Sequence, residues 1–164
     1  MEHELTFRPA VRGDEAKIMF FVNGLAEYEK AQPGDVQATE ELYTMFIFDE
    51  KKAEVYFICE DGKEVGFFLF FHNFSTWLGR PGLYLEDLFI LPEYRGRGYG
   101  KKALEKMASI AKERDCGRFE WICLDWNEPS IKFYKKLGAI PQEEWTIYRV
   151  TGDTLTDMAS RSDK

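Results

Sequence analysis

The sequence predicts an α/β fold in which a mixed β-sheet carries helices on both faces. Strand-like and helix-like segments follow the order β-α-α-β-β-β-α-β-α-β, which fits neither a doubly wound sheet nor a helical bundle. The run Val65–Phe71 is apolar on both faces, as expected of a central strand covered from both sides. The 164 residues, 45% hydrophobic and 31% charged, are enough for one core, so residues 1–164 are predicted to form a single domain.

The N-terminal part is predicted to contain a strand and two helices. Residues 4–8 form a short strand with Leu5 and Phe7 facing inward. Asp14 caps a helix, and Thr39 caps a second, shorter one after the break at Gln32-Pro33-Gly34. The apolar positions follow the helical period in both: Ile18, Phe21, Val22 and Leu25 in the first, and Leu42, Met45 and Phe46 in the second.

The remaining elements begin with a hairpin. Val55–Cys59 and Glu64–Phe71 are strand-like, and Asp61-Gly62 between them is a strong turn signal. A further strand covers Leu83–Leu91 and ends at Pro92. A helix from Gly98 to Asp115 is predicted to stop at Gly117. The buried face of this helix is predicted to consist of Ala103, Leu104, Met107, Ile110 and Ala111. The last three predicted elements are a strand Arg118–Leu124, a helix Pro129–Leu137 and a strand Trp145–Val150.

Composition excludes several classes of function. The net charge of −7 opposes binding to nucleic acid, whose phosphates would be repelled. No apolar run approaches the roughly 18 residues of a membrane span, and the N-terminus lacks a basic leader, so a cytoplasmic protein is expected. The three cysteines show no CxxC spacing and the two histidines stand alone, so no metal site is expected.

Three glycines at alternate positions carry the clearest chemical signal. Gly96, Gly98 and Gly100 join a strand to the start of a helix, where backbone N–H groups uncovered by side chains hold an anion. Lys101 and Lys102 oppose the helix dipole there, which a bound phosphate would offset. The alternative is a flexible glycine loop beside a solvated basic face.

Two other phosphate loops fail on spacing. A P-loop requires glycine five residues before Gly100, where Arg95 stands, and a Ser or Thr where Lys102 stands. A dinucleotide-binding fingerprint starting at Gly96 requires its third glycine at Lys101.

The segment Arg95–Gly100 resembles the R/Q-x-x-G-x-G/A pyrophosphate loop of the GNAT superfamily of N-acetyltransferases. Three further segments are similar to its spermidine/spermine and thialysine acetyltransferase subgroup: Leu25–Glu29, Tyr84–Asp87 and Trp126–Tyr134. The resemblance implies the GNAT fold, acetyl-CoA as cosubstrate, an amine acceptor and a homodimer, whose apolar interface we expect at 67–74 and 145–148.

The resemblance also implies a cosubstrate site. The loop residues Arg95, Gly96, Arg97, Gly98, Tyr99, Gly100 and Lys101 would cradle the pyrophosphate. Leu88, Phe89 and Ile90 would pair through their backbone with the pantetheine arm, and a free N–H there would polarise the thioester carbonyl. Asn127, Ser130 and Tyr134 would complete the site, with Asn127 also serving as a helix cap.

Acetyl transfer to an ammonium group needs a proton acceptor and a proton donor. The resemblance implies that Tyr134 protonates the departing thiolate, and the alternative is an ordinary core tyrosine. Glu86 and Asp87 point to opposite faces of a regular strand, so a bulge would decide their directions. Either acid could accept the amine proton, and the resemblance favours Glu86.

The acceptor is predicted to be a diamine or polyamine held in an acidic channel. Tyr28, Glu29, Glu86, Asp87, Glu120 and Trp121 are the candidate substrate-binding residues, with Trp126 as a further aromatic face. The alternative acceptor is a lysine analogue such as thialysine or another small amine, and a lysine-like acceptor needs a cation for its carboxylate. A different class is a CoA-binding sensor or assembly module without catalysis, which would need neither Tyr134 nor Glu86.

Overall fold

The structure is a computed structural model that describes residues 2–162. The chain separates into two compact units, one ending at Ile122 and the other beginning at Cys123. The single domain expected over residues 1–164 stays a prediction. No helix in the described part of the chain is both long and apolar enough to cross a membrane.

The first unit is built on a five-stranded sheet. Its strands are β1 (Leu5–Pro9), β2 (Glu54–Glu60), β3 (Lys63–Ser75), β4 (Arg80–Ile90) and β5 (Arg118–Glu120). They lie side by side in chain order, with antiparallel pairing from β1 to β4 and parallel pairing between β4 and β5. The predicted mixed sheet is therefore confirmed.

Three helices accompany this sheet. They are α1 (Glu15–Tyr28), α2 (Glu40–Tyr43) and α3 (Tyr99–Glu113). A π-helical turn, Thr44–Asp49, continues from α2, and a 3₁₀ turn, Pro92–Tyr94, precedes α3.

The core lies on both sides of β3. Phe67 and Phe70 are fully buried, and an odd separation along a strand puts them on opposite faces. Phe67 belongs to the cluster that contains Ile18 and Phe21 of α1. Phe70 lies beneath the guanidinium of Arg114, next to the end of α3. Helices therefore cover both faces, as the sequence predicts.

The β4 strand changes its partners partway along. Phe70 lies opposite Leu85 while Leu69 lies opposite Asp87, so Glu86 is an extra residue that forms a β-bulge. β5 pairs with only three residues of β4, Gly82–Tyr84. From the bulge onward, β4 therefore has a partner strand on the β3 side only, within residues 2–162.

The second unit contains two helices, α4 (Glu128–Lys136) and α5 (Gly152–Ser160). The side chain of Asn127 accepts a hydrogen bond from the Ser130 amide at 3.4 Å, which confirms its capping role. Trp145–Val150, predicted as a strand, has no strand geometry, because strand propensity needs a pairing partner to act on. The α5 helix is absent from the sequence prediction.

Two helix-cap expectations differ in outcome. Thr39 accepts from the Leu42 amide at 3.2 Å, as predicted. Asp14 occupies the cap position, but its carboxylate binds Arg8 at 2.9 Å and the Val11 amide at 2.8 Å. The strong charge of a neighbouring arginine outcompetes the helix amides for this acid.

Other boundaries need correction. Leu42, Met45 and Phe46 are more than two-fifths exposed, because the π-helical turn changes the residue spacing and buries Ile47 instead. Asp115, with φ of 59°, ends α3 instead of Gly117, and the Cys116 amide bonds to Ala111 O at 2.9 Å. The strand predicted to reach Leu124 ends at Glu120.

The expected dimer interface also changes. Phe67, Phe68 and Phe70 are fully buried within this unit, so they are not available to a partner. These residues are buried because a central strand packs both of its faces inside its own unit. The homodimer itself stays a prediction.

We expect Phe67→Ala to lower the free energy of unfolding by about 3–5 kcal/mol, since it leaves a cavity under α1. Phe74→Ala is the matched control on the same strand, because Phe74 is 60% exposed. It should change the free energy of unfolding by well under half as much. Urea denaturation measures both, and equal losses would contradict the assigned core.

Candidate active site

The glycine loop presents backbone amides at the start of α3. Gly96 and Gly98 have positive φ values of 78° and 81°, and Gly98 caps the helix. A Cβ at either position would meet nothing within 4 Å, so the space in front of them is open. None of the described backbone carbonyls accepts from the amides between Gly96 and Lys101, and the first such bond is Lys102 N to Gly98 O at 3.1 Å. This loop is therefore chemically suited to an anion.

Side chains of the same segment are held elsewhere. The Tyr99 hydroxyl donates to Glu60 at 2.5 Å, and the Arg97 guanidinium binds the same carboxylate. Lys101 and Lys102 are 59% and 63% exposed and lie 4.0 and 3.5 Å from Glu105. The loop consequently offers its amides and two movable lysines to a ligand.

Arg95 faces the α1 side of the sheet. Its Nε donates to Ile90 O at 2.8 Å, and its guanidinium lies 5.0 Å from the Tyr28 ring and 5.3 Å from the Phe89 ring. These residues line a cavity of about 510 Å³. Its wall also includes Phe20, Asn23, Gly24, Glu27, Leu91 and Pro92. Arg95 and Tyr28, predicted for different ligands, are thus brought together.

After the bulge, the β4 edge that faces away from β3 has no partner strand among residues 2–162. The Leu91 amide donates to Val65 O at 2.9 Å, so that opposed pair is hydrogen-bonded. Antiparallel alternation then directs the backbone of Phe89 to β3 and the amides of Leu88 and Ile90 to the opposite edge. Two of the three predicted pantetheine-pairing residues, Leu88 and Ile90, therefore have suitable backbone geometry, and Phe89 does not.

Asp87 is the acid with the most unusual environment. It is half-buried on the same face as Phe89, beneath α1. Burial, followed by the negative charges of Glu86 and Glu29, raises the pKa of Asp87 to about 7. A carboxyl group with this pKa exchanges a proton near neutral pH.

Glu29 and Glu86 complete an acidic cluster with Asp87. Burial and the charge of Glu86 also raise the pKa of Glu29, the residue that ends α1. Glu86 is exposed on the bulge. The phenol of Tyr43, on α2, is close enough that burial and the Asp87 charge raise its pKa. Three acids from two elements therefore share one region, as expected for a cationic ligand.

Glu120 and Trp121 do not join this cluster through any described contact. Glu120 binds Arg118 Nε at 2.8 Å and accepts from Asn73 Nδ2 at 3.1 Å. Arg118 therefore compensates the charge of Glu120. Trp121 packs against Phe119 with ring centroids 5.0 Å apart.

The second unit carries Asn127, Ser130 and Tyr134. Asn127 is buried at the start of α4, and Tyr134 is half-buried in its middle, with its ring 5.7 Å from that of Phe133. Their roles toward acetyl-CoA stay predictions.

The described residues contain one cluster with metal-ligand character, formed by His3, Glu60 and Asp61 within 4.8 Å of one another. His3 Nδ1 contacts Asp61 at 2.7 Å, and Glu60 is engaged by Arg97 and Tyr99. These contacts already account for the three side chains.

Two site residues have no counterpart in the sequence prediction. Tyr43 lies on a four-residue helix, where periodicity is too short to reveal which side chains face the sheet. Glu60 ends β2, 37 residues before Arg97, and nothing local marks the two as partners. Its position beside the Asp61-Gly62 turn was the only available signal.

Comparison with known proteins gives a consistent result. The model of the Acetyltransferase (GNAT) family matches residues 22–139. A thialysine N-epsilon-acetyltransferase from Sus scrofa is 34% identical, with 94% of this chain and 96% of the relative covered. A spermidine/spermine N(1)-acetyltransferase-like protein 1 from Homo sapiens is 33% identical over 58% of this chain and 14% of its own length.

A solved structure has the same architecture. The integron cassette protein VCH_CASS6 from the mobile metagenome of V. cholerae superposes with a TM-score of 0.78 and 26% identity. The superposition covers 96% of this chain and 98% of that one. The family uses acetyl-CoA as cosubstrate. The chain therefore belongs to the GNAT family, in its thialysine and spermidine/spermine acetyltransferase subgroup, and is an enzyme that acetylates amines.

Proposed function

We propose that this enzyme transfers acetyl from acetyl-CoA to a primary amine of a small diamine or polyamine. The observation that carries the proposal is the acidic cluster Glu29, Glu86 and Asp87, whose charges interact beside the free edge of β4. Mutual repulsion makes this cluster unfavourable by itself, and a ligand with several ammonium groups relieves it.

The cosubstrate is assigned to the free edge and the glycine loop. Amides between Gly96 and Lys101 receive the pyrophosphate, with Lys101 adding charge. Leu88 and Ile90 offer backbone groups to the pantetheine arm, and Asn127 and Ser130 are proposed as further contacts. The open space in front of Gly96 and Gly98 supports this assignment.

Asp87 is proposed as the proton acceptor. The family resemblance favours Glu86, but Asp87 has a pKa of about 7 and accepts a proton far more readily at neutral pH. An acceptor ammonium loses its proton to Asp87, directly or through water, and the free amine attacks the thioester carbonyl. Glu86 then acts through its charge, which keeps the pKa of Asp87 high.

Two further groups serve the same reaction. The outward-facing Leu88 amide donates to the oxygen that becomes negative during attack. Tyr134 protonates the departing thiolate, as the family resemblance implies, and the attacking nitrogen, positively charged in the intermediate, releases the second proton that returns Tyr134 to its neutral form.

A lysine analogue is the second candidate acceptor. The thialysine acetyltransferase relative, matched over nearly its whole length, supports it. A lysine-like acceptor also needs a cation for its carboxylate, and Arg95 supplies one in the 510 Å³ cavity that Glu27 and Tyr28 also line.

The cellular setting is part of the proposal. We place the enzyme in the cytoplasm as a homodimer, with no nucleic acid as ligand. The three cysteines are free, and the acidic composition supports a cationic small molecule as partner.

The loop assignment predicts an effect of charge at Gly98. Asn and Asp both tolerate a positive φ, so Gly98→Asn and Gly98→Asp should fold, with nearly the same side-chain volume. The aspartate should bind CoA at least about tenfold more weakly than the asparagine, because its carboxylate repels the phosphates. Calorimetry at low and high salt measures this difference, which screening should shrink. Equal dissociation constants would contradict the phosphate loop.

The Asp87 assignment predicts a pH dependence. Activity (kcat/KM) should rise with pH through an apparent pKa of about 7, because Asp87 must be ionised to accept the proton. Asp87→Asn should lose roughly 10²-fold or more in kcat. Glu86→Gln should instead shift the rise of kcat/KM to lower pH, because it removes a charge that raises the pKa of Asp87.

Stability gives an independent check of the same pKa. Folded Asp87 keeps its proton up to about 7 while the unfolded group releases it near 3.8, so the free energy of unfolding falls as pH rises through this window. The melting temperature of Asp87→Asn, relative to that of the wild type, should therefore increase as the pH is raised from about 4 to 8. Glu41→Gln, an exposed acid of α2, is the control and should show neither effect. If Glu86→Gln abolishes turnover while Asp87→Asn keeps the rise of kcat/KM with pH, then Glu86 is the proton acceptor.

Two variants separate the candidate acceptors. Glu29→Gln should raise KM several-fold for spermidine or spermine, and little for a short monoamine that does not reach Glu29. Arg95→Gln introduces a residue that the R/Q-x-x-G-x-G/A pattern of the loop also permits at this position. It should raise KM several-fold for a lysine analogue only. Both are assayed for acetyl-CoA turnover against polyamines, diamines and lysine analogues.

The wild-type panel decides which acceptor is correct. Turnover of polyamines with sensitivity to Glu29→Gln supports the first candidate. Turnover of lysine analogues alone, with sensitivity to Arg95→Gln, replaces it with the second. No amine acetylation at all would contradict both.

A further inference from the structure

Two glutamates of β2 bind the two ends of α3. Glu54 holds Arg114, just after the helix, at 2.5 and 2.9 Å. Glu60 accepts from the Tyr99 hydroxyl at 2.5 Å and from the Arg97 guanidinium, at the start of the helix. The same strand therefore fixes the helix at both ends with the same kind of charged contact.

The Glu60 contacts lie on both sides of Gly98. Arg97 precedes this glycine and Tyr99 follows it, so one carboxylate restrains the two neighbours of the residue with φ of 81°. Glycines at 96 and 98 give the backbone more conformational freedom than any other residues would. A restraint that spans Gly98 therefore limits the conformations open to this loop.

The environment of Glu60 favours a permanent contact. Its side chain is 10% exposed, against 40% for Arg97. The Tyr99 hydroxyl and then Arg97 hold the pKa of Glu60 below its usual range, with His3 adding to the effect. Glu60 is therefore charged whenever the enzyme works near neutral pH. Its charge beside a phosphate site would repel the ligand, and Arg97 compensates it.

Further contacts hold the Arg97 side chain in place. Its guanidinium also donates to Glu93 O at 3.5 Å and lies 5.1 Å from the Tyr94 ring. These contacts occupy the side chain on the protein side of the loop. Arg97 consequently contributes through its link to Glu60, while the neighbouring amides contact the ligand.

We propose that Glu60 is a positioning residue for the CoA phosphate loop, acting through Arg97 and Tyr99 on either side of Gly98. The proposal rests on the phosphate-binding role of that loop. Loss of the restraint leaves the loop with more conformations to lose on binding, so affinity for the cosubstrate falls while the chemical step is preserved.

The test compares Glu60→Ala and Glu60→Gln with Glu54→Ala, which breaks the ion pair at the other end of the same helix. Glu60→Ala should raise the KM for acetyl-CoA and the CoA dissociation constant about tenfold, with kcat at saturation within about twofold of wild type. Glu60→Gln keeps an acceptor for Tyr99 and should recover part of this loss. Glu54→Ala should lower the melting temperature and leave both constants unchanged.

A double-mutant cycle adds a second readout that survives poor folding of the alanine variant. Tyr99→Phe alone should weaken CoA binding a few-fold, and it should have a smaller effect in the Glu60→Gln background, because the hydrogen bond that it removes there is to a neutral amide and not to a carboxylate. Unchanged CoA binding in Glu60→Gln and Tyr99→Phe would overturn the proposal. Equal effects of Glu54→Ala and Glu60→Ala on binding would also overturn it, since they indicate general destabilisation.

The wild-type enzyme separates this inference from the proposed function. Acetyl-CoA turnover by wild type with insensitive Glu60 variants refutes the positioning role alone. A wild type that binds CoA no better than Gly98→Asp refutes the loop assignment on which it rests.

Discussion

The single extra residue of β4 determines the geometry of the site. At Glu86 the strand gains one residue relative to β3, and beyond this bulge β5 is no longer its partner. The amides of Leu88 and Ile90 lie at an edge that has no partner strand within residues 2–162, and Asp87 is turned under α1. The exposed β4 edge and the half-buried acid therefore both lie directly after one irregularity in the sheet.

The remaining contacts can be understood as support for that edge. Gly24 allows α1 to approach, since a Cβ there would lie 2.7 Å from the Phe89 ring. This close approach is what brings Tyr28 and Glu29, at the end of α1, to the region of Phe89 and Asp87. On the opposite face, β2 holds α3 through Glu54 and Glu60. The site thus lies between two helices whose positions are fixed by contacts of different kinds, one apolar and one ionic.

Much of this could be predicted from the sequence because the signals are local. The Asp61-Gly62 turn, the doubly apolar β3 and the alternating glycines each act within a few residues, and the fold confirms the turn, the covered strand and the helix start after the glycines. The raised pKa of Asp87 within the acidic cluster could not be predicted from local signals. Burial of Asp87 depends on α1 and α2, which are distant in sequence, and the link from Glu60 to the loop joins positions 37 residues apart. The segment Trp145–Val150 failed for the opposite reason, since its composition favours a strand that has no partner to pair with.

The order of the strands has a consequence for how the chain folds. Every antiparallel pairing in the sheet joins strands that follow one another in sequence, and the tight turn at Asp61-Gly62 closes the first hairpin. The pairings of β2 with β3 and of β3 with β4 are joined by short loops, so they carry a low entropic cost and form early. The parallel pairing of β4 with β5 must wait for the whole of α3 to form, and it gains only three residue pairs. The β5 edge of the sheet is consequently completed late in folding, and with three residue pairs it should open more readily in the native ensemble than the longer pairings of β2 with β3 and of β3 with β4.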